Sequence, residues 1–373
     1  MGNLGSSGTK ELRYPFERND FKGLNFIKNN FGDVRIVQNL KNSKIYIEKS
    51  LSFDSDQRLK EICQGLSDIN KADKVNYMKV HAVLISDRRM LCSISNAIII
   101  CDYFEQTLED MIIRRRNIST FSQEASIWKL LFDIIEVLQY NAINNIQNNF
   151  IHPRAIIYNK EIDGWCLIHH AFFTENNYTE AVSGSNNYCS PELYCQTMSK
   201  NQNFYLLEND KSNMFSLAVL VLQLLYLDDD TFQHCFAYNR QTIRVDVYYL
   251  HKFVEELKSR GCSKLISRIL NDMIQELEHL RISPRKFINL LGGYKAKLTS
   301  SKFDEHNRIL KQYIDAKSKH DDLSFQEKMS YAYEDHNDAD YHISEQFLQD
   351  DTLDNLKQKA VPFDPNFMEQ DSF

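Results

Sequence analysis

The side chains in this chain best suited to chemistry near neutral pH are a few histidines and one lysine. His152 stands in the run Asn148-Asn149-Phe150-Ile151-His152-Pro153-Arg154-Ala155, and His169 and His170 follow in Leu167-Ile168-His169-His170-Ala171, with Cys166 just ahead. Imidazole titrates in the physiological range and is a common metal ligand, so a pocket gathering these groups could serve as a pH switch or a zinc site. The spacing argues against a zinc module: there is no His-x-x-x-His pair, and the eight cysteines contain no Cys-x-x-Cys. Lys49 ends the alternating run Lys44-Ile45-Tyr46-Ile47-Glu48-Lys49, which reads as a strand. Gly2 opens Met1-Gly2-Asn3-Leu4-Gly5-Ser6, which fits the N-myristoylation pattern with Ser6 in place.

The elements that must position these groups show in the hydrophobic periodicity. Leu59, Ile62, Cys63 and Leu66 predict an amphipathic helix over 54–69, which carries Glu61. Ala97 to Tyr103 is a compact apolar strand. Ile127, Leu130, Leu131, Ile134, Ile135 and Leu138 predict a long buried helix over 123–140, and residues 212–226 read as a second helix that is apolar nearly all round. After Thr299 the chain turns polar, with two amphipathic pieces at 302–317 and 343–356.

The order of these segments resembles that of the protein kinase superfamily over about residues 26 to 298. In that family the first loop reads His-Arg-Asp-Leu-Lys-Pro-Glu-Asn and the second ends in Asp-Phe-Gly. Aligned on Pro153, Phe150 stands where the catalytic Asp would be, His152 where the Lys would be and Ala155 where the metal-holding Asn would be. His169-His170-Ala171 stands for Asp-Phe-Gly. Of the glycine-rich loop only the third glycine remains, as Gly32, while Ile27 and Asn29 occupy the first two positions. Lys49 matches the phosphate-pairing lysine, Glu61 is its candidate partner, and Cys101 takes the gatekeeper position. Tyr188-Cys189-Ser190-Pro191-Glu192 resembles the Ala-Pro-Glu motif, so the resemblance implies a partly buried ion pair between Glu192 and Arg281.

The fold so implied is α+β and two-lobed: a small β-rich lobe with one helix over 26–104 and a larger, mainly helical lobe over 105–298. It is preceded by a flexible segment over 1–25 and followed by an acidic tail over 299–373, partly helical or disordered. The chemistry so implied is absent. Phosphoryl transfer asks a protein mainly for positioning and for charge neutralisation at the phosphates. A Phe cannot take a proton from a substrate hydroxyl, an Ala offers magnesium no oxygen, and imidazole is a poor ligand for that hard cation. The expectation is a pseudokinase with no cofactor and no nucleotide turnover, acting as scaffold or allosteric regulator. Its partner surfaces would be the activation segment over 172–188 and the acidic tail. The competing expectation is a divergent kinase or other ATP-dependent transferase that relies on Lys49, with His152 and His169 as new ligands.

Composition bounds the rest. The chain has 373 residues, 43% hydrophobic and 25% charged, enough for a real core. Residues 301 to 373 hold 17 Asp or Glu against 8 Lys or Arg, a balance of -9; the whole chain carries -7, so residues 1 to 300 carry +2. A body so nearly neutral lacks the basic face that nucleic acid requires. No apolar run reaches the length of a membrane-spanning helix and no secretory signal is read at the N-terminus, so the expected location is the cytoplasm. A single myristoyl group at Gly2 would give reversible, peripheral membrane contact, because stable anchoring takes a second signal.

Overall fold

The computed structural model describes residues 18–29, 32–53, 66, 76–86, 95–113, 124–146, 151–168, 188–192, 210–227, 229, 247–300, 306 and 308–319. Met1–Lys317 forms one compact unit and Ser318–Phe373 another, of which only residues 318 and 319 are described. The first unit is α+β.

Alternating apolar and polar residues fold the first part into an antiparallel sheet. Its strands are β1 (Phe21–Asn29), β2 (Gly32–Asn39), β3 (Ile45–Phe53), β4 (Val80–Ser86) and β5 (Ser95–Asp102), in the order β1-β2-β3-β5-β4. The turn between β2 and β3 is set by Asn39, whose Oδ1 accepts from the backbone N–H groups of Lys41 and Asn42 at 2.8 and 3.1 Å. In β3 the period of two sends Ile47, Lys49 and Leu51 to one face and Tyr46 to the other. The first face joins the main core with Val34, Ile99 and Cys101, whereas Tyr46 packs with Val37, Ala82 and Ile100 on the reverse side.

The helices are α1 (Leu108–Ile113), α2 (Glu124–Asn144), α3 (Asp210–Leu225), α4 (Val247–Glu256), α5 (Lys264–Met273), α6 (Pro284–Leu291), α7 (Lys295–Leu298) and α8 (308–319). Their starts follow capping chemistry. Thr107 and Asp110 cap each other reciprocally at α1, with the Thr107 N–H donating to Asp110 Oδ2 and the Asp110 N–H to Thr107 Oγ1. Ser263 caps α5, and Ser283 followed by Pro284 starts α6. The apolar period predicted over 123–140 is α2, which runs on to Asn144 and buries Trp128, Leu131 and Phe132 against α6, where Phe132 meets Phe287 edge-on at 5.4 Å. The helix predicted over 212–226 is α3, buried along nearly its whole length. The helix predicted over 54–69 lies outside the described residues except for Leu66, which is helical and buried.

Sheet and helices share one continuous core, stitched by main-chain bonds. Two short strands, β6 (Ile156–Asn159) and β7 (Gly164–Leu167), form a hairpin beside α2. Residues 76–78 run alongside β7: the Met78 N–H donates to Leu167 O at 3.0 Å and the Leu167 N–H to Asn76 O at 2.9 Å. A side chain at Gly164 would meet the end of the Asn76 side chain, at Nδ2, at 2.9 Å, so that amide would have to move aside.

The expected boundary at 298–299 falls inside this unit. Ile309 and Tyr313 of α8 are fully enclosed, the Tyr313 hydroxyl donates to Asp272 at 2.7 Å, and Lys317 meets the same carboxylate at 2.7 Å. Glu124, the first residue of α2, is a second tie. It accepts from Trp128 Nε1 at 2.8 Å and from the backbone N–H of Ser263 at 2.7 Å, and His306 Nδ1 lies 3.2 Å away. One carboxylate therefore binds α2 to α5 and lies beside His306 on the approach to α8. Removing it strands several buried donors, each costing about 1–3 kcal/mol. We expect Glu124→Ala to lower the melting temperature by several degrees and Glu124→Gln by less, as measured by differential scanning calorimetry. Equal melting of Glu124→Ala and wild type would show that the carboxylate is dispensable.

Candidate functional site

Lys49 is placed by register. On β3 it lies directly between Val34 of β2 and Ile99 of β5, and along its own strand face between Ile47 and Leu51. All four neighbours are at most 1% exposed, and Lys49 itself is 2% exposed. Burial disfavours the ammonium and pulls its pKa down to about 8, while the nearby Cys101 thiol acts the other way. The same burial, with the charge of Asp102 behind it, pushes the Cys101 thiol far up, and its Sγ donates to Ile47 O at 3.7 Å. Cys166 and Cys189 are likewise pushed up to about 12 by burial, so none of the three is poised as a nucleophile.

The segment around Pro153 is built as a short 3-10 turn, Pro153–Ala155, with His152 as its N-cap. The His152 Nδ1 accepts from the Arg154 N–H at 3.0 Å, which leaves its proton on Nε2. The ring packs edge-on against Tyr188 at 5.0 Å, and Tyr188 donates in turn to Gln223 of α3 at 2.5 Å. Burial, then the charge of Arg154, pushes the His152 pKa down to about 3, so the ring stays neutral through the physiological range. That corrects the expectation of a near-neutral switch at this residue. Ala155 is fully buried and presents a methyl group; its backbone carbonyl accepts from the Ile168 N–H at 2.7 Å. That bond brings Ile168 beside Ala155, while His169 and His170 lie outside the described residues. Among the described residues no three His, Cys, Asp or Glu side chains gather as a metal site.

Glu192 and Arg281 are brought together. Arg281 Nη1 and Nη2 both donate to the Glu192 carboxylate, the second at 2.8 Å, and Ser212 of α3 donates to the same group. The guanidinium also caps the end of α5 through the carbonyls of Gln275 and Glu276 at 2.6 and 2.8 Å, and lies 5.0 Å over the Phe215 ring. Desolvation raises the Glu192 pKa, but the hydrogen bonds from Arg281 and Ser212 outweigh it and hold the carboxyl at about 2. Gly32 opens β2 opposite Asn29. Glu61, Phe150, His169 and Gly2 lie outside the described residues.

The sequence did not point to a cleft of about 1040 Å³ at the start of β3, beside Ile45 and Tyr46, whose lining does not include Lys49. It is lined by residues of β3, residues 76–81, residues 102–106, α1, α2 and the β6–β7 hairpin, including Lys79, Tyr103 and Ile162. The one signal was an isoleucine inside the polar turn Lys160-Glu161-Ile162-Asp163. Scanned against models of known families the chain matches none, and a search of curated proteins returns no match. Among the described residues no helix is long and apolar enough to cross a membrane.

Two outcomes follow from these charges. Because the folded Glu192 carboxyl titrates below its unfolded value of 4.5, the stability it confers is complete above that pH and disappears as pH falls toward about 2. Glu192→Gln should therefore cost about 3–5 kcal/mol at pH 7 in urea unfolding, and the gap to wild type should close on acidification. A gap independent of pH contradicts the pair. For His152, ring ¹⁵N NMR should show one neutral tautomer from pH 8 to pH 5, roughly the range in which a free imidazole titrates; a midpoint near 6.5 contradicts the buried cap.

Proposed function

We propose that this chain is a degenerate protein-kinase-like domain, with residues 26–104 as the small lobe and 105–298 as the large one. It transfers no phosphate and works as a scaffold or allosteric regulator through protein contacts. The observation that carries the reading is the enclosure of Lys49. A lysine that pairs with nucleotide phosphates needs open space and glycine backbone in front of it. Here its cross-strand neighbours Val34 and Ile99 and its strand neighbour Ile47 belong to the packed core. Ala155 supplies no oxygen where a metal ligand would be needed, and His152 is occupied as a helix cap.

The ion pair of Glu192 with Arg281 supports the same reading from the other side: it serves packing rather than chemistry, and it is the pair the resemblance implies. Partner contact then falls to surfaces, with the activation segment over 172–188 and the acidic tail as the segments assigned to it. Gly2 is the proposed lipid site, giving reversible membrane contact in the cytoplasm.

Binding of a ligand to the folded state raises the apparent melting point by mass action. A thermal-shift titration with ATP, with and without magnesium, should leave the melting point of the full chain unchanged, and Lys49→Met should behave like wild type. A magnesium-dependent rise that Lys49→Met abolishes would establish the nucleotide site and replace this reading with that of a divergent enzyme. Intact-mass analysis of protein from its native cell should show the myristoyl adduct, lost in Gly2→Ala; an unmodified Gly2 removes the tether.

A further inference from the structure

The cleft at the start of β3 is a built feature. Its frame is fixed by main-chain bonds: residues 76–78 pair with Leu167, and the Asp102 N–H donates to Lys79 O at 3.1 Å. Its floor is aromatic and packed into the fold, with Tyr46, Tyr77 and Trp165 each at most 5% exposed. A groove formed in advance spares an occupant the cost of ordering it.

Around this floor stand three large apolar side chains that the fold leaves in water. Ile45 is 45% exposed, Tyr103 37% and Ile162 50%, and they come from three separate elements. Ile162 is the most telling. It sits within the four-residue turn between β6 and β7, where Asn159 Oδ1 accepts from the Glu161 N–H and Asp163 takes a positive φ of 47°. Such turns are normally polar, and this isoleucine keeps half of its surface in water. A single exposed apolar residue needs no explanation, but three converging on one cleft mark a contact surface.

The charges decide what fits. The lysines of the cleft are nearly all engaged at its rim: Lys44 with Glu161 at 3.4 Å, Lys160 with Glu105 at 2.7 Å, and Lys129 with Asp163 at 2.6 Å. Asp102 is taken by His81 at 2.7 Å and by the Lys79 backbone N–H at 3.0 Å. That leaves the exposed ammonium of Lys79 with no carboxylate among the described residues, open to one carried by an occupant of the cleft. The rim pairs are solvent-exposed, contribute little to stability, and exchange readily with an incoming carboxylate. We propose that this cleft is a docking groove for a short segment of a partner protein that presents a bulky apolar side chain flanked by Asp or Glu. The apolar group fills the space between Ile45, Tyr103 and Ile162, and an acid meets Lys79. The proposal rests on the reading of the chain as a protein-contact module and names the partner's chemistry.

The test is a selection of random peptides displayed on phage against the full-length protein, repeated on Lys79→Glu and Ile162→Ser. Both side chains are exposed, and matched melting curves show that the variants are folded. Enriched peptides should carry Leu, Ile, Phe or Met beside acidic residues, and a synthetic peptide of the enriched sequence should bind at least about tenfold more weakly to either variant and more weakly at high salt. Enrichment of basic or featureless sequences, no enrichment, or equal binding to the variants overturns the groove. So does a dimer in sedimentation that Ile162→Ser dissolves, since it assigns the cleft to a second copy. The ATP titration reports separately: groove-dependent peptides together with ATP binding leave the groove standing and remove the pseudokinase reading, whereas their absence without ATP binding removes the groove alone.

Discussion

Holding a lysine ammonium inside an apolar sheet face is the constraint around which this molecule is arranged. At neutral pH a residue whose pKa is brought from 10.5 to about 8 by burial stays charged at a cost of about 3 kcal/mol relative to an exposed lysine. That cost falls as pH rises toward 10.5, the neutral amine being the form the site prefers. The packing of Val34, Ile47 and Ile99 helps to offset it, and this packing belongs to the core that continues through the 76–78 and Leu167 pairing into the helices. Opening the Lys49 face to water would mean giving up part of what joins sheet to helices.

The strong polar contacts share one logic, joining helices distant in sequence by charges that are largely dry. Arg281 is bonded to Glu192 and to two carbonyls at the end of α5, Asp272 gathers Tyr313 and Lys317 from α8, and Glu124 gathers Ser263 and Trp128. Each of these three groups makes several polar contacts, which is what lets a buried charge be tolerated. The exposed pairs at the outer cleft are of another kind: they cost little to rearrange and are therefore available for exchange with a partner.

Periodicity made much of this legible before any coordinates. The buried stripe from Ile127 to Leu138 located α2, and the alternation up to Lys49 located β3, because both patterns are local. The partnership of Glu192 with Arg281, 89 residues apart, was legible only through the family resemblance. Glu124 was not, since an acid at a helix start looks ordinary until Ser263, 139 residues on, is folded against it. His152 read as a titrating group because its residue type says so; that it caps a turn and stays neutral depends on Tyr188 and Arg154 enclosing it. The amphipathic piece over 302–317 is too short to hold as a helix alone, and what stabilises it, Asp272 meeting Lys317, is not visible in the local pattern.

Accessibility of Lys49 to a nucleotide tests the account most directly. An acyl-phosphate derivative of ATP acylates any lysine whose amine reaches the phosphates of a bound nucleotide, and peptide mass spectrometry locates the label. The account expects Lys49 to remain unlabelled in the native full-length chain and to react only after denaturation. Labelling of Lys49 in the folded protein, competed away by free ATP, would contradict it.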